Sequence, residues 1–180
     1  MKLKIASMLL LSLVAVPAMA ESSNAYLMLD AGTASYQNMS PFNNPGKIGF
    51  GFGYRYNQNI ATEINYTNFG DSTITYVNTG NSATLKASSF QFAVVGSQAI
   101  NDQFAAFGKI GLASNKAGVT TNVGTSASTS QSSLYFGGGL QYNVNEKYSL
   151  KLQYENFGNF DSTSSPMSAS AVSIGLQFNL

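Results

Sequence analysis

Long polar segments alternate with very short ones between strand-like stretches of this chain, and this alternation limits the folds open to it more than any other feature. The long segments, rich in Ser, Thr, Asn and Gly, cover residues 37–46, 70–82, 115–131 and 158–168. The short ones are centred on residues 58–59, 99–102 and 145–146. Barrels that span a bacterial outer membrane have short periplasmic turns and long external loops. The alternation therefore predicts such a barrel.

The N-terminus has the composition of a cleavable secretory signal. Two lysines precede an apolar stretch over residues 5–16, and Ala18-Met19-Ala20 supplies the small residues of a cleavage site. The apolar stretch is too short to cross a bilayer core about 30 Å thick as a helix. We therefore expect a signal peptide over residues 1–20, which directs Sec-type export, and a single β-barrel domain over residues 21–180.

Period-2 alternation of large apolar residues with small or polar ones marks the strands. It is clearest over residues 47–57 and 172–180. Several strands reach the length of about 9 to 11 residues that a tilted membrane strand needs. The predicted strands lie near residues 24–36, 47–57, 60–69, 83–98, 103–114, 132–144, 147–157 and 169–180. The predicted fold is all-β, an eight-stranded antiparallel up-and-down transmembrane β-barrel with both termini on the periplasmic side.

Aromatic side chains fall near both ends of the predicted strands, as in the interfacial girdles of membrane barrels. The periplasmic girdle is predicted to contain Tyr54, Tyr56, Phe104, Tyr142, Tyr148 and Phe178. The outer girdle is predicted to contain Tyr66, Phe69, Phe90, Tyr154 and Phe157. The alternative is that these rings are strand formers in a soluble sheet. Residues 65–70 (NYTNFG) also resemble residues 153–158 (QYENFG), as expected if both segments end at the same interface.

Three segments resemble the OmpA-like transmembrane domain and its small relatives of the OmpX and Ail type. They are residues 63–70 (EINYTNFG), 107–112 (FGKIGL) and 136–142 (FGGGLQY). The resemblance implies the outer membrane of a Gram-negative bacterium and insertion by the outer-membrane assembly machinery through the C-terminal strand. That strand ends in Leu180, where the family usually has Phe, which weakens the insertion signal. No peptidoglycan-binding domain follows, so we expect no anchoring to the cell wall.

Strand parity directs charged side chains into the lumen, which eight strands make too narrow for a wide pore. These side chains are Arg55, Glu63, Lys109, Lys151 and Glu155. If the second turn takes residues 58–60, Arg55 lies directly across from Glu63. Lys151 and Glu155 share a face and are expected to be partners. The family resemblance also implies a charged network inside the barrel.

The predicted network has two interpretations. It is either a polar plug that satisfies buried groups or a gate for ions and small solutes, and we favour the plug because unpaired charge inside would be costly. Glycines on the inner face either leave water-filled pockets or make room for large neighbours. They are Gly49, Gly51, Gly53, Gly137, Gly139 and Gly175.

The composition argues against catalysis and metal binding. The chain has no His and no Cys, so a Ser-His pair, a Cys-His pair, a thiolate metal site and a disulfide are excluded. We expect no catalytic residue, no metal site and no cofactor. Asp71 and Asp161 are predicted to be turn residues rather than calcium ligands. The formal net charge of +1 gives no indication of nucleic-acid binding.

The predicted function is that of a non-enzymatic structural surface protein, a monomer surrounded by outer-membrane lipids. One alternative is an adhesin that binds a host surface ligand through its extracellular loops. The other is a narrow, porin-like channel for ions or small solutes. Residues 115–131 are rich in Ser, Thr and Gly, with Lys116 as their only charge, and are predicted to form a mobile, poorly ordered loop.

Overall fold

Eight strands form one closed barrel in a computed structural model, which describes residues 24–38, 45–75, 81–122, 124 and 126–180. Neighbours in sequence pair antiparallel, and the last strand pairs with the first. The strands are β1 Ala25–Gln37, β2 Gly46–Arg55, β3 Ile60–Thr75, β4 Ser82–Ala99, β5 Phe104–Thr121, β6 Ser126–Asn143, β7 Tyr148–Asn159 and β8 Ser168–Asn179. The predicted eight-stranded barrel is confirmed. The predicted signal peptide lies outside the described residues.

The barrel wall is apolar on the outside. Phe50, Phe92, Ile110, Leu152 and Ile174 point outward and are 50% to 66% exposed. Soluble monomers rarely expose such a continuous apolar surface, whereas a closed barrel in lipid satisfies its backbone groups internally. The outside is therefore built to contact lipid. Within the described part of the chain, no helix is long and apolar enough to cross a membrane.

The three short turns share one construction, in which an Asn side chain closes the turn. The Asn57 Oδ1 atom accepts hydrogen bonds from the backbone N–H groups of Asn59 and Ile60, each over 2.9 Å. Asn101 and Asn145 make the equivalent pair of bonds in the other two turns. Asn suits this position because its short side chain can hydrogen-bond the backbone two residues later. The side chain thus fixes where each turn falls.

Strands β3 to β6 extend further than predicted at the loop end of the barrel. β5 continues to Thr121, β6 begins at Ser126, and the two strands pair without a break. The prediction of a poorly ordered loop over residues 115–131 is therefore wrong. Alternation fades in this segment because most of it faces water on both sides, whereas the backbone ladder of a strand pair does not require alternation.

Two β-bulges lie at equivalent positions of β3 and β7, where the sequence Asn-Phe-Gly occurs twice. One shifts the register after Phe69, and the other includes Gly158, whose φ of +68° favours glycine. The extra residue inverts side-chain parity, so that Phe157 and Phe160 are both buried in the lumen. The sequence echo between the two segments therefore corresponds to a shared backbone feature.

Candidate functional site

Six charged side chains in the lumen form one continuous chain of ion pairs. Three are lysines and three are carboxylates, so their formal charges cancel. In order of contact they are Asp30, Lys47, Glu155, Lys109, Glu63 and Lys151. Five of the six side chains are at most 4% exposed, and Asp30 is 13% exposed. They project from β1, β2, β3, β5 and β7, and so cross-link strands on different sides of the barrel.

Glu63 accepts hydrogen bonds from two lysines and one tyrosine inside the barrel, and a longer one of 3.5 Å from Nδ2 of Asn65. Its carboxylate lies 3.1 Å from Nζ of Lys109, 3.2 Å from Nζ of Lys151 and 3.0 Å from the Tyr26 hydroxyl. Burying a carboxylate is tolerable only when opposite charge and hydrogen bonds compensate for lost water. Two lysines and one hydroxyl supply that compensation here.

Glu155 joins the two halves of the chain of ion pairs. Its carboxylate pairs with Lys47 and lies 3.6 Å from Nζ of Lys109. The Tyr135 hydroxyl and, over 3.2 Å, Nε2 of Gln153 donate to the same carboxylate. Every charged group in this part of the lumen therefore has an opposite charge beside it.

Lys47 and Asp30 belong to this chain although the sequence pattern did not single them out. Nζ of Lys47 lies 2.7 Å from Oδ1 of Asp30, an ion pair whose geometry is not that of a hydrogen bond. The Asp30 carboxylate occupies the space left by Gly49, its cross-strand partner. Lys47 and Asp30 are each a single charged residue between lipid-facing neighbours. This pattern is the sequence signal by which both could have been found.

Arg55 does not contact Glu63, and the predicted pair is wrong. The register places Arg55 across from Ala61, two residues short of Glu63. The reason is the turn, because the Asn57 side chain closes it over residues 57–59, one residue earlier than assumed.

Arg55 lies instead at the periplasmic end of the lumen. Its Nη1 atom donates to Oδ1 of Asn179 over 3.1 Å, and its guanidinium lies 4.6 Å from the centroid of the Tyr26 ring. Cation–π contact and one hydrogen bond to an amide replace the expected carboxylate. Arg55 is therefore not a member of the ion-pair chain.

The predicted partnership of Lys151 with Glu155 is also wrong. Lys151 pairs with Glu63, and Glu155 pairs with Lys47 and Lys109. Residues four apart on one strand are separated by about 13 Å along it, so partners on other strands are nearer across a narrow lumen. The charged residues were placed inside by parity, but their pairing depends on the closed barrel.

An apolar cap closes the lumen above the charges, at the loop end. The ring of Phe69 lies 5.0 Å from that of Phe157, edge to face, and 5.7 Å from that of Phe160. All three rings are at most 1% exposed. Tyr36, Leu85 and Met167 pack around them. The outer end of the barrel is therefore filled by hydrocarbon.

The outward-facing rings lie at both ends of the wall. At the periplasmic end the ring pairs are Tyr54 with Tyr56, Phe104 with Tyr142, and Tyr148 with Phe178. At the loop end Tyr66, Phe90 and Tyr154 lie on the outer face. The prediction that Phe69 and Phe157 join the outer girdle is wrong, because odd-numbered positions of β3 and β7 face the lumen, as Glu63 and Glu155 do.

A neutral polar layer lies between the charges and the cap. Nδ2 of Asn115 donates to the backbone carbonyls of Phe157 and Asn159 over 2.7 and 2.8 Å, and the Ser89 hydroxyl donates to its Oδ1 over 2.6 Å. Asn115 thereby ties β5 to β7 where β6 does not pair with β7. Gln91, two residues from Ser89 on the same face of β4, is fully buried, and neither polar atom of its side chain has a partner among the described residues.

Two glycines on the inner face make room for large neighbours rather than for water. A Cβ at Gly53 would collide with the ring of Tyr26, and one at Gly49 would collide with the Asp30 carboxylate. A larger residue at either position would have to displace the facing side chain, which already fills the space. The filled lumen therefore depends on these two glycines.

The acidic residues at the loop end have local partners. Asp71 lies 3.4 Å from Nζ of Lys86. Oδ1 of Asp161 accepts hydrogen bonds from the Met167 N–H over 3.1 Å and the Thr163 hydroxyl over 3.2 Å, which organises the loop between β7 and β8. Among the residues that the structure describes, no group of three or more His, Cys, Asp or Glu side chains could hold a metal ion.

Solved structures show the same fold at low sequence identity. Neisserial surface protein A has a TM-score of 0.69 and 17% identity, over 88% of this chain and 98% of that chain. Ail of Yersinia pestis, solved in complex with the heparin analogue sucrose octasulfate, has a TM-score of 0.63 and 16% identity, over 89% of this chain and 100% of that chain. OprG of Pseudomonas aeruginosa has a TM-score of 0.54 and 10% identity, over 89% and 98%.

The sequence itself identifies the family. Among curated proteins none matches the chain. A family model described as the outer membrane protein beta-barrel domain matches residues 6–179, nearly the whole chain. The family resemblance predicted from the sequence is confirmed, and the apolar wall and closed barrel agree with it. The chain belongs to the family of the outer membrane protein beta-barrel domain, which places it in the outer membrane.

Proposed function

We propose that this protein is a non-enzymatic, structural component of the outer membrane whose lumen is closed by a side-chain plug. The observation that carries the proposal is that buried charges and an apolar cap both fill the lumen. A neutral chain of six buried charges occupies its middle, and an apolar cap of three Phe rings covers its loop end.

The plug argues against the channel alternative for an electrostatic reason. An ion entering the lumen would have to replace a partner of Glu63 or Glu155, and breaking a buried pair costs about 3 to 5 kcal/mol. It would also have to pass the rings of Phe69, Phe157 and Phe160, which offer no polar ligand. The ion pairs and the ring cap therefore both block the lumen. The barrel can serve as a rigid, closed element of the membrane.

Conductance and detergent sensitivity test the proposal together. The refolded chain should give no discrete current steps in planar lipid bilayers, and a deletion strain should become sensitive to detergents until the gene is restored. The variant Phe69→Gly/Phe157→Gly is the comparison for an opened cap. Discrete steps from the wild-type protein would refute the plug, and a deletion strain of unchanged sensitivity would refute the structural role.

A second candidate function is recognition of an extended peptide segment at the outer edge of β6. This strand pairs with β5 along its whole length but with β7 only from Phe136 to Asn143. Residues 126–132 therefore present an exposed edge with no Pro and no charge, which is the kind of edge to which a further strand adds. This observation supports the adhesin alternative.

The backbone N–H and C=O groups of β6 point alternately to β5 and to the free edge, which identifies the groups that would bind. The Asn143 N–H donates to the carbonyl of Gln103, just before β5, over 2.7 Å. The backbone groups of odd-numbered β6 residues therefore point to β5, and those of even-numbered residues point to the free edge. Ser128→Pro removes one edge N–H without breaking the ladder, and Ser128→Ala is the matched control that keeps it. Adhesion to host-cell proteins should fall in the Pro variant alone. Equal adhesion of the two variants would contradict this second function.

A further inference from the structure

The outer wall carries a polar band directly above its lipid-facing surface on β3 to β6. The last fully apolar row consists of Ile64, Phe92, Leu112 and Leu134, which are cross-strand partners. The next row consists of Tyr66, Phe90, Ser114 and Ser132. Two aromatic rings and two hydroxyls in one row are typical of the boundary between hydrocarbon and headgroups.

Lysines and hydroxyls occupy the two rows above that boundary. The first consists of Asn68, Ser88, Lys116 and Ser130, and the second of Lys86, Gly118 and Ser128. Rows are about 5 Å apart in height, because same-face residues are about 6.6 Å apart along strands tilted by about 40°. Both lysines thus lie about 10 to 15 Å above the last apolar row, at the level of lipid headgroups.

A groove of about 520 Å³ runs between these side chains on the outer wall. Gly118 forms its floor, and a Cβ there would meet no atom closer than 3.7 Å, so the missing side chain leaves open space between Lys86 and Ser128. Phosphate oxygens readily accept hydrogen bonds from ammonium groups and from the hydroxyls beside them. The groove therefore has the shape and the donors for a phosphorylated headgroup.

The charge on the outer wall is concentrated at this place. Within the eight strands, all of which the structure describes, the charged residues that do not face the lumen are Asp71, Lys86 and Lys116. The pair of Lys86 with Asp71 spans 3.4 Å, and both side chains are more than half exposed. Such a pair is weak, so a phosphate can compete with Asp71 for Lys86.

We propose that Lys86 and Lys116, with the hydroxyls between them, bind the phosphate groups of a glycolipid of the outer leaflet. The lysine side chains extend along the wall while their ammonium groups meet the headgroup. This site is on the outside of the barrel and does not depend on the plug or on the free edge of β6. It would hold the lipid on one side of the barrel, that of β3 to β6.

Lipid titration in detergent tests the site. The refolded full chain, in a neutral detergent, is titrated with diphosphorylated lipid A, and bound lipid is counted by native mass spectrometry. Lys86→Gln/Lys116→Gln should weaken binding by about 25-fold, since each lysine near an anionic lipid surface contributes about fivefold. Asp71→Asn should bind more tightly than the wild-type protein, because it removes the competing carboxylate. Lys147→Gln, in a periplasmic turn, is the matched control and should bind unchanged.

Two further measurements show whether the lipid phosphates are what binds, and control for misfolding of the lysine variants. Dephosphorylated lipid should bind as weakly to the wild-type protein as diphosphorylated lipid binds to the double lysine variant. Gly118→Leu fills the groove while both charges remain, and it should also lose binding. Unchanged binding by the double variant or by Gly118→Leu would overturn the proposal. So would equal binding of the dephosphorylated lipid, or displacement of lipid A by an equal concentration of inorganic phosphate.

Discussion

Replacing Glu63 by Gln should destabilise the barrel by about 3 to 5 kcal/mol, because it leaves the Lys151 ammonium without a carboxylate in a buried site. The Lys151 Nζ atom lies 3.2 Å from Oε1 of Glu63, and its side chain is 4% exposed. Lys109 is less affected, because Glu155 remains 3.6 Å from its Nζ atom. The substitution therefore leaves one uncompensated charge rather than two.

The distance gives an independent check on the magnitude. Two unit charges at the observed 3.2 Å separation attract by about 5 kcal/mol at an effective dielectric of about 20. The upper end of the range applies if the lumen is dry, and water reaching Lys151 would lower the loss. The typical cost of breaking a buried ion pair and the Coulomb energy at this distance both amount to several kcal/mol, a large part of the stability of a single domain.

A double-mutant cycle separates the pair from general damage. Glu63→Gln/Lys151→Met leaves the ion-pair chain neutral, so its loss should be smaller than the sum of the single losses by about 2 kcal/mol or more. Glu63→Gln/Lys116→Gln is the matched control and should be additive within about 0.5 kcal/mol, because Lys116 lies on the outer wall and shares no partner with Glu63. Unfolding by urea in lipid vesicles, followed by circular dichroism, measures each term. Additive losses for Glu63 with Lys151 would refute the reasoning, as would coupling of Glu63 with Lys116.

Four other predictions can be checked by the same measurement. Ile174→Arg, on the lipid face, should cost about 2 to 4 kcal/mol, whereas Ser128→Arg, above the apolar wall on β6, should change stability by less than about 0.5 kcal/mol; equal losses would contradict the assignment of the wall. Phe69→Ala should cost about 3 to 5 kcal/mol by emptying the cap, and a loss below about 1 kcal/mol would mean that the cap is not packed. Gln91→Leu should stabilise by about 1 to 3 kcal/mol because it removes an unpartnered buried amide, and destabilisation would reveal a missing partner. Asn101→Ala should cost about 0.5 to 1.5 kcal/mol by opening its turn, and no loss would show that the backbone alone closes it.

The strand count and the inside-outside assignment could be predicted from sequence because both depend on local pattern. Alternation placed Phe50 and Ile174 outside and Glu63 and Lys151 inside, since lipid and lumen impose opposite chemistry on neighbouring residues. The extension of β5 and β6 could not be predicted in this way. Water on both faces removes the alternation, and what holds these residues extended is pairing with another strand.

Of the six members of the ion-pair chain, the sequence pattern predicted Glu63, Lys109, Lys151 and Glu155 but not Asp30 or Lys47, and both predicted pairs are wrong. Arg55 does not lie across from Glu63, because a turn displaced by one residue moves the cross-strand partner by two. Only the Asn57 side chain decides between a turn over residues 57–59 and one over residues 58–60. Lys47 meets Glu155 because closure of the barrel brings β2 close to β7, a contact between residues 108 positions apart. No local pattern carries that information.

The Asn-closed turns also set an order in which the barrel can assemble. Each turn joins its two strands over a few residues, whereas β1 and β8 meet through Gln37 and Ser168, which are 131 positions apart. Each doubling of a closed loop adds about 0.6 kcal/mol of entropy cost, so joining the ends directly is less favourable by about 3 kcal/mol than closing a turn. Hairpins β2–β3, β4–β5 and β6–β7 should therefore form early, and the seam between β1 and β8 should be the last contact made and the first lost under denaturant.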